Sequence, residues 1–236
     1  MNRAEHPWAV VAALPQELAP LRRISHQNCS LIVTGMGIEN ADQNLRAHLR
    51  EKEFAGVFGI GLAGALTPSL RIGDLVIGQE VHGESIHHAD AQLLDAAGKI
   101  RLSETGINFG TIVTVNEIVC TAWRKRQLAE KAHSCKLSCV DMESWAFSRV
   151  CAENDIPCLN IRCISDLLEE DLPLDFNRFR KPDGNLGLLS IAMAALIRPR
   201  VIGGLWKMRS NAQFCAHQLA CFVTQVLSTA RKLETV

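Results

Sequence analysis

Ser30-Leu-Ile-Val-Thr-Gly-Met-Gly-Ile-Glu-Asn40 is the stretch that decides the fold class. A β-type run through Thr34 ends in Gly35-Met-Gly37, and helix-compatible residues resume near Glu39 or Asn40. A short apolar run, a turn that glycine takes most easily and a helix start make one strand–turn–helix unit. The same grammar recurs on both sides of it. Trp8-Ala-Val-Val-Ala-Ala-Leu14 is a continuous apolar run stopped by Pro15, which predicts a buried strand, and a helical stretch follows from Gln16 through Arg23. Gly56-Val-Phe-Gly-Ile-Gly61 repeats the pattern and leads into Leu62-Ala-Gly64. Leu75–Gly78, Thr111–Val115 and Cys158–Ile164 are further strand candidates. The last of these follows a helix predicted over Val140–Glu153 and stopped by Asn154-Asp155-Ile-Pro157. Strands alternating with helices predict an α/β fold, a central twisted mixed β-sheet covered by helices on both faces.

Composition narrows the function. Of 236 residues, 25 are Lys or Arg and 25 are Asp or Glu, so the net charge is zero. Nucleic-acid binding requires several phosphates to be neutralised at once, and this balance excludes it as an expectation in favour of a small-molecule ligand. The nine cysteines are an odd number with no CxxC pair, and MNRAEHPWAVVAAL lacks the features of a signal peptide. The expectation is a cytoplasmic protein with reduced, mostly buried thiols.

The texture changes after Lys181-Pro-Asp-Gly184. The chain divides into a catalytic core over residues 1–181 and a helical extension over 182–236. Helix alone is predicted from Asn185 to Lys232, with Pro199 and Gly203-Gly204 as breaks. The nearly apolar run Leu186–Ile197 falls short of the ~20 residues a spanning helix needs. Arg198, Arg200, Trp206, Lys207 and Arg209 bracket apolar turns, which suits peripheral contact of residues 185–210 with a membrane. A helix that closes the core or meets another subunit fits the same pattern.

Ligands of open α/β sheets collect at the carboxyl ends of strands. Three carboxylates fall there: Glu17 after the first strand, Glu143 after Ser138-Cys-Val140 and Asp166 after Ile164. Singly, each is explained as a first-turn charge or an N-cap. Together they point to a site. His82, His87 and His88 read as a polar loop rather than a metal site, because no zinc-type spacing surrounds them. Cys135-x-x-x-Cys139 reads as one side of a helix.

Ala13-Leu-Pro-Gln-Glu17-Leu, Thr34-Gly-Met-Gly37, Gly61-Leu-Ala-Gly64 with Leu70-Arg-Ile-Gly-Asp74, Val140-Asp-Met-Glu143-Ser and Ile161-Arg-Cys-Ile-Ser-Asp166 occur in an order that resembles the nucleoside phosphorylase and nucleosidase superfamily. The methylthioadenosine/S-adenosylhomocysteine nucleosidases are the most visible likeness, over roughly residues 9 to 180. The segment from Lys181 resembles the hopanoid-associated phosphorylase branch, which implies a role in hopanoid biosynthesis with adenosylhopane, a lipid-tailed adenosine, as substrate. The resemblance implies that Asp166 is the acid acting on adenine N7 and Glu17 the acid that takes a proton from water. It implies that Glu143 accepts the ribose hydroxyls, Met142 packs under the sugar and Phe176 stacks on the base. Ile118 and Val119 would meet the base edge, and Leu62, Ala63 and Gly64 would form the turn beside the substrate. A free aspartic acid is ionised at neutral pH, so the site must hold its proton or let it settle only as the bond breaks. A homo-oligomer is also implied, with no cofactor and no metal.

Two departures bear on the nucleophile. Leu62 stands where many relatives have Ser or Thr, and Gly59 stands where hexameric phosphorylases carry a phosphate-binding Arg. Phosphate needs charge-assisted donors, so their joint loss favours a hydrolase over a pentosyltransferase. Arg22 or Arg23 remains as another anion clamp, in which case phosphate is the co-substrate. A non-catalytic nucleoside-binding protein is the rival from another class.

Overall fold

A computed structural model describes residues 6–23, 29–103, 105–132, 137–179 and 200–234. In chain order, β1 (Trp8–Ala12) leads into α1 (Pro15–Arg23), β2 (Cys29–Val33) into α2 (Ile38–Glu51), and β3 (Val57–Ala65) into β4 (Leu75–His82). The short β5 (Ile86–His88) and α3 (Ala91–Gly98) precede β6 (Ile107–Thr114) and α4 (Ala122–Lys131). Then come β7 (Ser138–Asp141), α5 (Ser144–Glu153), β8 (Cys158–Asp166), a 3-10 turn at Phe176–Phe179 and the long α6 (Arg200–Glu234).

The apolar run of β1 is buried along its whole length because the sheet is covered on both sides. Its side chains alternate between two cores, as strand geometry requires. Trp8, Val10 and Ala12 join Leu18, Phe58 and Ile60 under α1, α3 and α6. Ala9 and Val11 join Leu45, Phe147 and Val150 under α2 and α5. At roughly 1.5–3 kcal/mol for each fully buried Val, Leu or Phe, these two layers are the main source of stability.

The sheet is mixed. β2, β1, β3 and β8 pair in parallel, β8 meets β4 antiparallel, and β4, β6 and β7 continue in parallel. An antiparallel contact of Gly64 with Val140 and Ala65 with Cys139 returns β7 to β3. Strands β3, β8, β4, β6 and β7 therefore form a closed ring, with β1 and β2 as a wing. The closure brings the carboxyl ends of β3, β7 and β8 side by side, next to the end of β1.

Four local expectations change. The segment from Ser138 to Asp141 is strand and the helix begins only at Ser144, because Ser138 to Asp141 pair with Thr111 to Thr114 of β6. Cys139 is thus on a strand, and Cys135 lies outside the described residues. His82, His87 and His88 sit on the antiparallel β4–β5 hairpin rather than on a loop. Gly203 and Gly204 do not break α6, where a Cβ at Gly204 would lie 2.8 Å from Pro173 Cβ. The run Leu186–Ile197 and the residues Arg198 and Pro199 lie outside the described residues.

The C-terminal half of α6 buries Cys215, Leu219, Phe222, Val223 and Val226 against the core. Its N-terminal turns differ. Val201, Leu205 and Met208 pack near Phe176, while Ile202 and Trp206 are exposed, Trp206 to 67%. Among the described residues no helix is long and apolar enough to cross a membrane.

Candidate active site

Glu17 stands in the first turn of α1, five residues past the end of β1. Its Oε2 accepts a hydrogen bond from the Leu14 N–H at 2.8 Å and its Oε1 accepts from the Leu62 N–H at 3.1 Å. The carboxylate thus joins the ends of β1 and β3. Burial raises its pKa above the ordinary value, against the pull of the Leu14 N–H and the Arg162 charge.

Glu143 occupies the cap position of α5, but its side chain does not cap that helix. Its Oε1 instead accepts the Gly37 N–H at 2.7 Å. Gly37 has φ 88°, a left-handed conformation that disfavours any side chain, and so the glycine turn after β2 can aim an N–H at this acid. Burial, reinforced by the Asp141 charge, pushes the Glu143 carboxyl up to about 8. The Gly37 N–H and Arg162 oppose that rise, and Glu17 adds to it.

Asp166 is the last residue of β8, beside a register shift where β3 passes Ala63 and Gly64. The Ser165 hydroxyl lies 2.8 Å from its Oδ1, and the Lys125 ammonium contacts Oδ2. A Cβ on Gly64 would stand 2.9 Å from that Oδ2, so the strand approaches the acid only because residue 64 has no side chain.

A buried ion pair lies beneath these groups. Arg162, 1% exposed, donates from Nε to Asp141 Oδ2 at 2.6 Å and from Nη1 to the carbonyls of Gly59 and Ile161. Asp141 also accepts the Thr114 hydroxyl at 2.7 Å and the Ser144 N–H at 2.9 Å. A guanidinium so enclosed offsets part of the repulsion among carboxylates that a dry site otherwise forbids.

Glu17, Glu143 and Asp166 line one cavity of about 300 Å³. Met142, Phe176, Ile118 and Val119 line it too, and so do Leu62, Ala63 and Gly64. Every residue expected at the site from the sequence is therefore brought together there. Phe176 is 3% exposed and belongs at once to the cavity wall and to the apolar cluster under the first turns of α6. Among the described residues no Lys or Arg lines the cavity, whereas Glu17, Glu117, Asp141, Glu143 and Asp166 all do. Arg22 is exposed on α1 and is not among the residues that line the cavity, and the Arg23 side chain lies outside the described residues. Among the described residues no group of three His, Cys, Asp or Glu side chains is placed to hold a metal ion.

Sequence reasoning missed Asp141, Arg162 and Lys125, and also Met36, Met208 and Ala212 of the cavity wall. Arg162 had a signal: a charge in the middle of the apolar run Cys158–Ile164 must find a buried counter-charge. Lys125 had none, because it stands in Arg124-Lys-Arg126, which reads as a solvated basic face.

Residues 21–181 match the family model described as the phosphorylase superfamily. The chain belongs to this superfamily. A 5′-methylthioadenosine/S-adenosylhomocysteine nucleosidase of Shewanella pealeana is 27% identical over 183 residues, covering 68% of this chain and 79% of that protein. Among solved structures, the nucleosidase of the same name from Neisseria meningitidis in complex with methylthio-immucillin-A has a TM-score of 0.72 at 20% identity, over 94% of this chain and 98% of that one. A futalosine hydrolase mutant of Helicobacter pylori reaches 0.70 at 16% identity, over 94% and 99%. Likeness at those identities establishes the phosphorylase-superfamily fold. The cavity, with its acids at the ends of β1, β7 and β8, occupies the carboxyl edge where sheets of this kind bind ligands.

Proposed function

We propose that this superfamily member is an enzyme that hydrolyses the N-glycosidic bond of a 5′-modified adenosine and releases adenine. The observation that carries the reading is the meeting of Glu17, Glu143 and Asp166 in one cavity of about 300 Å³ that, among the described residues, is lined by no Lys or Arg. A dianionic phosphate entering there would meet Glu17, Glu143 and Asp166, while the Lys125 ammonium and the Arg162 guanidinium are already engaged by Asp166 and Asp141, which favours water as nucleophile. The names of the relatives, nucleosidases and a hydrolase, support the same class.

In this reading Asp166 passes a proton to adenine N7 as the electron pair of the C1′–N9 bond moves to the base. Glu143 accepts the ribose hydroxyls. A carboxyl with a pKa of about 8 is largely protonated at neutral pH without substrate, and it gives its proton to solvent as the nucleoside binds, so that the diol donates to an ionised Glu143 before the bond breaks. Glu17 takes a proton from the attacking water, whose oxygen bonds to C1′. Each Glu17 oxygen already accepts one backbone N–H and keeps lone-pair capacity for that water, and its raised pKa makes it a stronger base. Met142, Leu62, Ala63 and Gly64 enclose the sugar, Ile118 and Val119 the base edge, and Phe176 stacks on the base. The reaction needs no cofactor.

For the 5′ substituent we propose a lipid tail, with adenosylhopane as substrate. Support comes from the branch resemblance and from exposed Ile202 and Trp206 beside Lys207 and Arg209 on the first turns of α6, which suit peripheral contact with the inner membrane face. The division at residues 181 and 182, a cytoplasmic location and a homo-oligomer belong to the same proposal. Adenine release is to be measured from adenosine, methylthioadenosine and a lipid-tailed adenosine, with and without phosphate. Release without phosphate supports hydrolysis. Acceleration by phosphate, with a sugar 1-phosphate visible by 31P NMR, replaces it with phosphorolysis, and release from methylthioadenosine alone removes the lipid tail.

A further inference from the structure

Three consecutive basic residues, Arg124, Lys125 and Arg126, follow Ala122 and Trp123 in α4, and they behave differently. Arg124 pairs with Glu117 and Arg126 with Glu169, both at the surface. Lys125 turns inward and is 0% exposed. Its Nζ contacts Asp166 Oδ2 and donates to the carbonyls of Leu167 at 2.7 Å and Glu170 at 2.9 Å. Three acceptors surround a group with three N–H donors, so the ammonium is fully satisfied. The start of α4 is itself held: Thr121 Oγ1 accepts the Arg124 N–H at 3.2 Å and Asp171 Oδ1 accepts the Ala122 N–H at 2.7 Å.

An ammonium can only donate. Asp166 Oδ2 therefore remains an acceptor throughout a proton transfer, and the mobile proton is confined to Oδ1. The neighbouring Ser165 Oγ lies 2.8 Å from Oδ1 and 3.3 Å from the Ala63 carbonyl, and it has one hydrogen to give. It donates to Oδ1 when that oxygen is bare and turns to Ala63 when Oδ1 carries the proton. We propose that Lys125 is a positioning residue that fixes Oδ1 as the proton-delivering oxygen of Asp166 and holds the carboxyl in the plane that serves the base. This rests on the reading of Asp166 as the acid. The proton leaves Oδ1 for N7 while the C1′–N9 electron pair goes to the base, and afterwards Ser165 donates to Oδ1 and Lys125 still donates to Oδ2.

The test compares K125M, K125R and D166N on whichever of methylthioadenosine and a lipid-tailed adenosine the parent cleaves faster, and on a p-nitrophenyl riboside carrying the same 5′ group, whose leaving group departs without a proton. K125M is expected to lose about 10²-fold in kcat for adenine release, as for other misplaced catalytic groups, with KM within about threefold. Its p-nitrophenolate release should stay within about threefold of the parent, and K125R, which keeps a donor, should recover part of the loss. Should K125M not fold, K125Q is read in the same assays. Equal losses on both substrates, or a kcat loss matched by a lower melting temperature and not recovered by K125R, would make Lys125 merely structural and overturn the proposal. Unchanged adenine release by K125M with D166N inactive overturns it while leaving Asp166 as the acid. Full adenine release by D166N removes the acid reading itself.

Discussion

Arg162→Met is the substitution whose cost follows most directly from the geometry. It removes the partner of Asp141, whose side chain is 0% exposed, and leaves that carboxylate with only the Thr114 hydroxyl and the Ser144 N–H. Breaking a buried pair in this way costs about 3–5 kcal/mol, because the remaining charge stays desolvated. At 2–4 °C per kcal/mol for a chain of this size, the melting temperature should fall by roughly 6–20 °C. R162M/D141N removes both charges and should regain much of that loss, with an interaction energy of at least ~1 kcal/mol in the double-mutant cycle. The assay is urea and thermal unfolding of the four proteins at one pH. A loss below about 1 kcal/mol in R162M, or strict additivity in the cycle, would refute the assignment of Arg162 as the counter-charge of this site.

Gly64→Ala places a Cβ 2.9 Å from Asp166 Oδ2, 3.4 Å from Val140 Cγ1 and 3.5 Å from Lys125 Cε. It should cost about 1–3 kcal/mol of stability in a melting assay and lower kcat by on the order of tenfold or more by displacing the acid. Glu143 has a folded pKa of about 8 against an ordinary 4.5, so in that window the folded state holds a proton the unfolded state lacks. Its contribution is therefore complete below pH ~4.5 and lost as pH rises through ~8, and E143Q should flatten that part of the stability–pH curve measured by denaturant titration. Glu17→Gln should lower kcat by about 10²-fold or more while leaving nucleoside affinity, read by calorimetry, largely intact.

The α/β class was legible because β1 and β3 are apolar on both faces, and a strand covered on both sides leaves a continuous apolar run in the chain. The three acids were legible because each falls where a buried strand ends. Their convergence was not, since it depends on β7 returning to β3 through two residue pairs, a long-range closure with no local pattern. Val140 and Asp141, the end of the strand Ser138–Asp141, read as the start of the helix because they are buried and closely precede a real helix at Ser144. Gly203-Gly204 resembled a break, but a glycine there also lets α6 lie against Pro173. Lys125 was hidden by its neighbours, for only the turn of the helix distinguishes an inward lysine from two outward arginines.

The most direct measurement is the rate of adenine release in phosphate-free buffer by the parent protein and by D166N, on whichever of methylthioadenosine and a lipid-tailed adenosine the parent cleaves faster, with nucleoside binding followed in parallel. The parent should release adenine together with an equal amount of free sugar, and D166N should bind the nucleoside yet release adenine at least about a hundredfold more slowly. Undiminished release by D166N, or binding with no adenine release by the parent on any 5′-modified adenosine, would contradict the assignment of this cavity as a nucleosidase site.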